Sequence, residues 1–460
     1  MTRRTIFRLA AAALTLLPVF AGAQSARQQF GGATSTAAGY VAWDLDVINA
    51  TAVTQTGRGV YVAVLDTGLV PNWRDYFPAA RVATHLGAGF YQPFTFKAGN
   101  LDPCGFGIDV GQLNRTSWIG SRASSHGTHV ASTIIGYYYK NPFDTTAGFD
   151  LPALMVRGVA PEVTIIPVRV LTDFQIPALP KCGYPGGNGV GGTSAMVAAG
   201  LDYVTDLAIA GYRPMVVNMS LGGPAQEPVE KAALDRAIAN GVIVVAAAGN
   251  EGAAGMSYPG AYAPVISAGA IGWKGEWVRP DSSNTPYRMW WLQYGQAPTL
   301  PGSGEVPDPT SADDLYVADF SSRALPGQQL DVLAPGSWVR GPFPGEPAYN
   351  HLPWWSNGQG IFRAGAPLAN FYFVGGTSMA TPHVASVAAM ILQKNPTLNQ
   401  AQVESILKST ALPMPDVGSR WVMNVSTPST VTWGTACGSI VCNPVGAGVV
   451  RADAAIAATP

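Results

Sequence analysis

Short, unbroken apolar runs recur along this chain, each ending in a polar or glycine-rich turn. They are "GVYVAVLDTG" (59–68), "VTIIPVRVL" (163–171), "MVVNMSLGG" (215–223), "VIVVAAAGNEG" (242–252) and "PVISAGAIG" (264–272). Runs of this length with no polar alternation read as strands buried on both faces. Between them, "SAMVAAGLDYVTDLAIAGY" (194–212) and "EPVEKAALDRAIANG" (227–241) have helical character, and Gly241 is placed to close the second. Strands alternating with helices predict an α/β fold in three layers, a mostly parallel central sheet with helices on both faces. Ligands of such sheets gather beyond the carboxyl ends of the strands. Asp66, Ser220 and Asn250 all close a strand.

The N-terminal "MTRRTIFRLAAAALTLLPVFAGA" holds Arg3, Arg4 and Arg8, an apolar run, and Ala21 and Ala23 at the small positions of a cleavage site. It reads as a signal peptide over 1–23, and "TRRTIF" resembles a twin-arginine signal. No later run is long and apolar enough to cross a bilayer. Removing 1–23 takes away three arginines and no acid, moving the formal charge from -1 to -4. That balance points away from nucleic acid and from an anionic membrane surface as partners. Residues 24–42 then form a short polar segment, and no linker divides 43–460, which reads as one domain and as a monomer.

Four cysteines in an exported chain suggest two disulfides. Three pairings are possible; the local loop "CGSIVC" favours Cys437 with Cys442, leaving Cys104 with Cys182. No CxxC knuckle supports zinc. The stretches 86–122, 140–157, 273–319 and 340–370 are aromatic, proline-rich and irregular, and read as surface excursions or walls of an extended cleft. "PTLNQAQVESILKSTA" predicts a helix with Thr397 and Gln400 in capping-box spacing.

Ser378, in "GGTSMATPHVAS", stands where a helix begins, a position that suits either a cap or a nucleophile. A nucleophilic serine needs a base, and imidazole has a pKa near the working range. His383 lies five residues further along one helix and, at about 100° per residue, points away from Ser378. In "SSHGTHVAST", His126 falls at the exposed mouth of a helix and His129 inside it, where a structural role is expected. Asp66 closes a buried strand and can hold the second imidazole nitrogen. Asn250 in "AAAGNEG" supplies an uncharged amide for a developing oxyanion, and the backbone N–H of Ser378 a second donor.

Taken in order, "VAVLDTG", "SSHGTHVAS", "NMSLGG", "AAAGNEG" and "GGTSMATPHVAS" resemble the subtilisin-like serine peptidases, the subtilase family. The resemblance runs from about Trp43 to the C-terminus. It implies Ser378 as nucleophile, His126 as general base, Asp66 as orienting acid and Asn250 as oxyanion donor. It implies protein or peptide substrates lying extended between Ser220, Leu221 and Gly222 on one side and Gly191 and Gly192 on the other. The first pocket would draw on Ala247, Gly249 and Ser257 and, lacking charge at those positions, favour apolar or aromatic side chains. The alternative within the same fold is a catalytically silent peptide-binding protein. The chemistry implied needs no cofactor. Family members often bind structural calcium, and Asp75 sits where one ligand would, although "YYYKNPFDTTAGFD" does not match the usual loop. Only about twenty residues separate the signal from the first matching segment, too few for the family's pro-domain, so folding unaided or with an outside chaperone is expected.

Overall fold

The computed structural model describes residues 41–98, 106–120, 124–139, 154–176, 178, 187–274, 299–300, 304–305, 311–344, 371–424 and 427–460. The main sheet is built, in chain order, from β1 (Tyr61–Asp66), β2 (Ala88–Tyr91), β3 (Asn114–Thr116), β4 (Thr164–Arg169), β5 (Met215–Met219), β6 (Ile243–Ala247), β7 (Ile266–Trp273), β8 (Leu315–Val317) and β9 (Val332–Pro335). Their spatial order is β8-β7-β6-β5-β1-β4-β2-β3, with β9 also on β7. Pairing is parallel except at β7 with β8 and at β2 with β3. The expected mostly parallel sheet is therefore present.

Alternate residues of each strand enter different cores. Val62 and Val64 of β1 join one core with Ile165, Val216 and Val245, against α1 (Ser125–Ile135) and α4 (Thr377–Lys394). Ala63 and Leu65 join the other with Ile166, Val217 and Val244, against α2 (Ser194–Ile209) and α3 (Pro228–Ala239). Both faces are apolar because both are covered, which is why the strands read as continuous runs. Helix α4 is buried along nearly its whole length, so the run around Ser378 must be small and apolar to pass through the core. Gly241 follows the end of α3 with φ +76°, the left-handed conformation that glycine adopts at least cost.

Two details differ from the sequence reading. Helix α5 (Gln400–Ser409) starts from Asn399, whose side chain accepts from the Gln402 N–H while the Gln402 side chain accepts from the Asn399 N–H. The capping box thus sits two residues beyond the Thr397 and Gln400 pair, because Gln400 is committed elsewhere. Its Oε1 accepts from Val244 N–H at 2.8 Å, and its Nε2 donates to the carbonyls of Val244 and Pro264, each at 2.9 Å. Second, the 86–122 stretch is more regular than expected. Besides β2 and β3 it forms an antiparallel hairpin of Phe94–Ala98 with Phe106–Val110, whose period-two pattern was diluted by the residues between. Towards the C-terminus Val449 makes isolated bridges with Leu333 and Leu412 before the closing helix Ala452–Ala458. Cys437 and Cys442 form a disulfide. Cys104, Cys182 and residues 1–23 lie outside the described residues.

Replacing Gln400 by leucine should cost about 2–5 kcal/mol, since it strands two backbone groups of a central strand. Urea unfolding midpoints of wild type and Gln400→Leu measure this directly.

Candidate active site

Asp66 ends β1 between β4 and β5, where successive connections leave for opposite sides of the sheet. The carboxylate is fully buried. Its Oδ1 accepts from Thr67 N–H at 2.6 Å and from His126 Nδ1 at 2.8 Å. Oδ2 is buried with no hydrogen-bond partner among the described residues. The His126 imidazole donates from Nδ1, so this hydrogen bond and that of Thr67 offset much of the cost of burying the carboxylate.

His126 is held by the start of α1. Ser124 donates its hydroxyl to the Thr67 carbonyl at 2.6 Å, and Gly127 N–H donates to Thr67 Oγ1 at 2.9 Å. A Cβ at Gly127 would lie 2.4 Å from the Gly68 carbonyl oxygen, so only glycine lets the helix start this close to β1. Burial alone would push the His126 pKa down; the charge of Asp66 and its hydrogen bond outweigh that and hold it above the ordinary imidazole value. With Nδ1 engaged, Nε2 is left for a second proton. His129 is instead buried in α1, with Nε2 against the Val339 carbonyl at 3.1 Å. His383 is buried in α4 between the Met379 carbonyl and Asp44 Oδ2, at 2.8 and 3.1 Å. Both are structural, as expected.

Ser378 is the second residue of α4, where backbone N–H groups have no intrahelical partner. Its hydroxyl donates to the Ser220 carbonyl at 3.2 Å. The Ser220 hydroxyl donates in turn to the Ser378 carbonyl at 2.7 Å. That carbonyl is free to accept because its helical partner would be the N–H of residue 382, and residue 382 is proline. Asn218 Nδ2 donates to the Ser220 hydroxyl at 3.0 Å and fixes its direction. Pro382 thus frees an atom that ties the helix start to the strand edge.

Asn250 is oriented by the residue before the serine. Its Oδ1 accepts from Thr377 N–H at 2.8 Å and from the Thr377 hydroxyl at 3.0 Å, while Thr377 Oγ1 accepts from Gly249 N–H at 3.2 Å. Two donors on the oxygen decide which end of the amide is Nδ2. The space left by the missing side chain of Gly376 is 3.7 Å from Ser378 N and 3.8 Å from Asn250 Nδ2. Met379 Sδ also stands 3.7 Å from that position, so the two nitrogens lie near one another at the start of α4, a placement suited to donating to a negative oxygen.

A cleft of about 780 Å³ opens beside His126. Gly191, Gly192, Ser220, Leu221 and Gly222 line it, as do Val110 of the hairpin and Phe343. Ser257 stands behind Gly222, where an added Cβ would come within 2.7 Å of the Ser257 Cβ. Gly249 adopts φ +108°, with Ser257 Oγ 2.7 Å from its missing Cβ position. Ala247 is buried at the end of β6 and does not border the cleft. Sequence reading passed over Glu251, whose Oε2 accepts from the hydroxyls of Ser257 and Ser322, both at 3.0 Å, and so places a carboxylate behind Gly249. Its signal was plain in "GNEG", directly after Asn250. Asp75 accepts from Asn72 Nδ2 at 3.0 Å. Among the described residues no group of three or more carboxylate, histidine or cysteine side chains could hold a metal ion, and most of the "YYYKNPFDTTAGFD" loop, residues 140–150, lies outside the described residues. No described helix is long and apolar enough to cross a membrane.

A strand-end carboxylate paired with an imidazole, and a helix-start serine beside an oriented amide, are the parts that serine peptidase chemistry calls for; here the Ser378 hydroxyl is bonded to the Ser220 carbonyl and not to His126. The model of the subtilase family matches residues 57–438, and the chain belongs to that family. It is 31% identical over 297 residues to Subtilisin DY of Bacillus licheniformis, covering 64% of this chain and 72% of the relative. It is 29% identical over 381 residues to M-protease of Shouchella clausii (strain KSM-K16), covering 82% and 66%. With Subtilisin E of Bacillus subtilis (strain 168) it shares 32% over 294 residues, 63% of this chain but 51% of the relative. The chain thus spans only part of each relative's length. Among solved structures it resembles Sphericase in fold, with a TM-score of 0.51 at 22% identity over 89% of this chain and 97% of the other. The S41 psychrophilic protease is similar in fold, at 0.50 and 23% over the same shares.

NMR titration should find the His126 imidazole titrating above the ordinary histidine range in wild type. In Asp66→Asn it should titrate below that position, because burial then acts unopposed.

Proposed function

We propose that residues 43–460 form a secreted serine endopeptidase that cuts proteins and peptides through an acyl-enzyme. The observation that carries this reading is the buried Asp66 carboxylate, bound to His126 at 2.8 Å beside a cleft that Ser220 also lines while bonding Ser378. In this reading the Ser378 hydroxyl turns from the Ser220 carbonyl to His126 Nε2, which takes its proton as Oγ attacks the peptide carbonyl. Asp66 stabilises the imidazolium that forms. The oxyanion settles between Ser378 N–H and Asn250 Nδ2, the two donors around the space at Gly376. The imidazolium then gives its proton to the leaving amine, and water repeats the sequence to free the acid. These steps use the chain's own residues alone.

The substrate lies extended between 191–192 and 220–222, where main-chain hydrogen bonds give broad specificity. Leu221 and the unsubstituted wall at Gly222 favour an apolar or aromatic side chain before the cut bond, with Glu251 and Ser257 behind that wall. Export is supported by the arginine-led apolar segment at the N-terminus and by the Cys437–Cys442 disulfide, a bond of oxidising compartments.

A fluorophosphonate should label Ser378, and Ser378→Ala should lose both labelling and casein hydrolysis while unfolding at the wild-type temperature. Labelled or active Ser378→Ala protein would refute the assignment. Asn250→Ala should lower kcat by about 10²–10³, the size known for the corresponding amide in subtilisin, with KM little changed.

A further inference from the structure

Glu230 has no part in the proposed chemistry, yet it lines the same cleft. It sits in the first turn of α3, and its Oε1 is buried with no hydrogen-bond partner among the described residues. An acid near a helix N-terminus is ordinarily favoured in its charged form. Here burial, and then the nearby Glu227, push the Glu230 carboxyl up to about 7.

Among the described residues no cation answers it. The ionisable groups lining the cleft are His126, Glu227, Glu230 and Tyr258, with no lysine or arginine among them. His126 is engaged by Asp66. The neighbouring cations of α3 are committed, Lys231 to Asp235 at 2.6 Å and Arg236 to Asp202 and Asp206 at 2.9 and 2.5 Å. A leucine or methionine would close this wall without stranding a carboxyl oxygen. The counter-charge is therefore sought in whatever fills the cleft, which at about 780 Å³ has room for several side chains of an extended peptide.

We propose that Glu230 determines specificity by receiving a cationic side chain, lysine or arginine, from a substrate position before the cut bond other than the one that meets Gly222 and Ser257. This rests on the peptidase reading of the cleft. An ammonium or guanidinium there makes a charge-assisted contact with the carboxyl group where it borders the cleft and holds it ionised. The selectivity therefore grows as the pH rises through the titration of Glu230. Without substrate the sign for stability is opposite. A carboxyl whose folded-state pKa lies above the unfolded value favours the fold at low pH, and that contribution is lost as pH rises from the ordinary 4.5 towards 7. Glu230→Gln should accordingly melt higher than wild type at pH 8 and alike at pH 4.

Pairs of fluorogenic hexapeptides, with lysine against norleucine at each of the second to fifth positions before the cut, provide the test. At one position the kcat/KM ratio should favour lysine by about tenfold at pH 8.5. It should fall towards one at pH 6 and vanish in both Glu230→Gln and Glu230→Leu. Because each pair shares the same triad, the ratio is insensitive to titration of His126. A ratio near one at every position in wild type, or one unchanged in both variants, overturns the proposal. Fluorescence anisotropy of the same peptides on Ser378→Ala separates the two readings. A lysine preference in binding, with no hydrolysis by the parent protein, keeps the role of Glu230 and removes the peptidase reading.

Discussion

A negative charge at the end of the central strand, fully removed from water, is the constraint around which this molecule is arranged. An unpaired carboxylate there would be prohibitively costly, so Asp66 needs both the Thr67 N–H and the His126 imidazole. Meeting that need determines how closely α1 must dock, and hence why Gly127 cannot carry a side chain. It also fixes which imidazole nitrogen faces the sheet. The demand that stabilises the strand end is the same demand that, in the proposed chemistry, readies the other nitrogen for proton transfer.

The second organising contact joins α4 to the strand edge. Ser220 and Ser378 exchange hydrogen bonds, hydroxyl to carbonyl in each direction, and Pro382 makes one half possible by lacking an N–H. Thr377 repeats the logic one residue earlier by orienting Asn250. Ser378 and Asn250 are thereby each held by a neighbour that does not itself enter the proposed chemistry, the kind of support that keeps a constellation within a fraction of an ångström.

Much of this was legible in the chain. The strands announced themselves because both faces are covered, and Asp66, Ser220 and Asn250 could be placed at strand ends before any coordinates. The near-miss at Gln400 shows the limit of local pattern: Thr397 and Gln400 have capping-box spacing, but Val244 and Pro264, far away in sequence, claim the amide. Glu230 was illegible for a related reason. An acid in the first turn of a helix is ordinary dipole complementation, and nothing local to "EPVEKAAL" reveals that one oxygen is sealed into a cleft wall.

Val110, from the paired strands Phe94–Ala98 and Phe106–Val110, and Leu221 both line the cleft, which in the proposed reading takes one extended strand of the substrate. Compact globular targets do not offer such a segment without local opening, and the free energy of that opening adds to the barrier for cutting them. For an intact target, the rate of attack would then follow how often a stretch of its own chain comes loose, as much as which side chains that stretch carries.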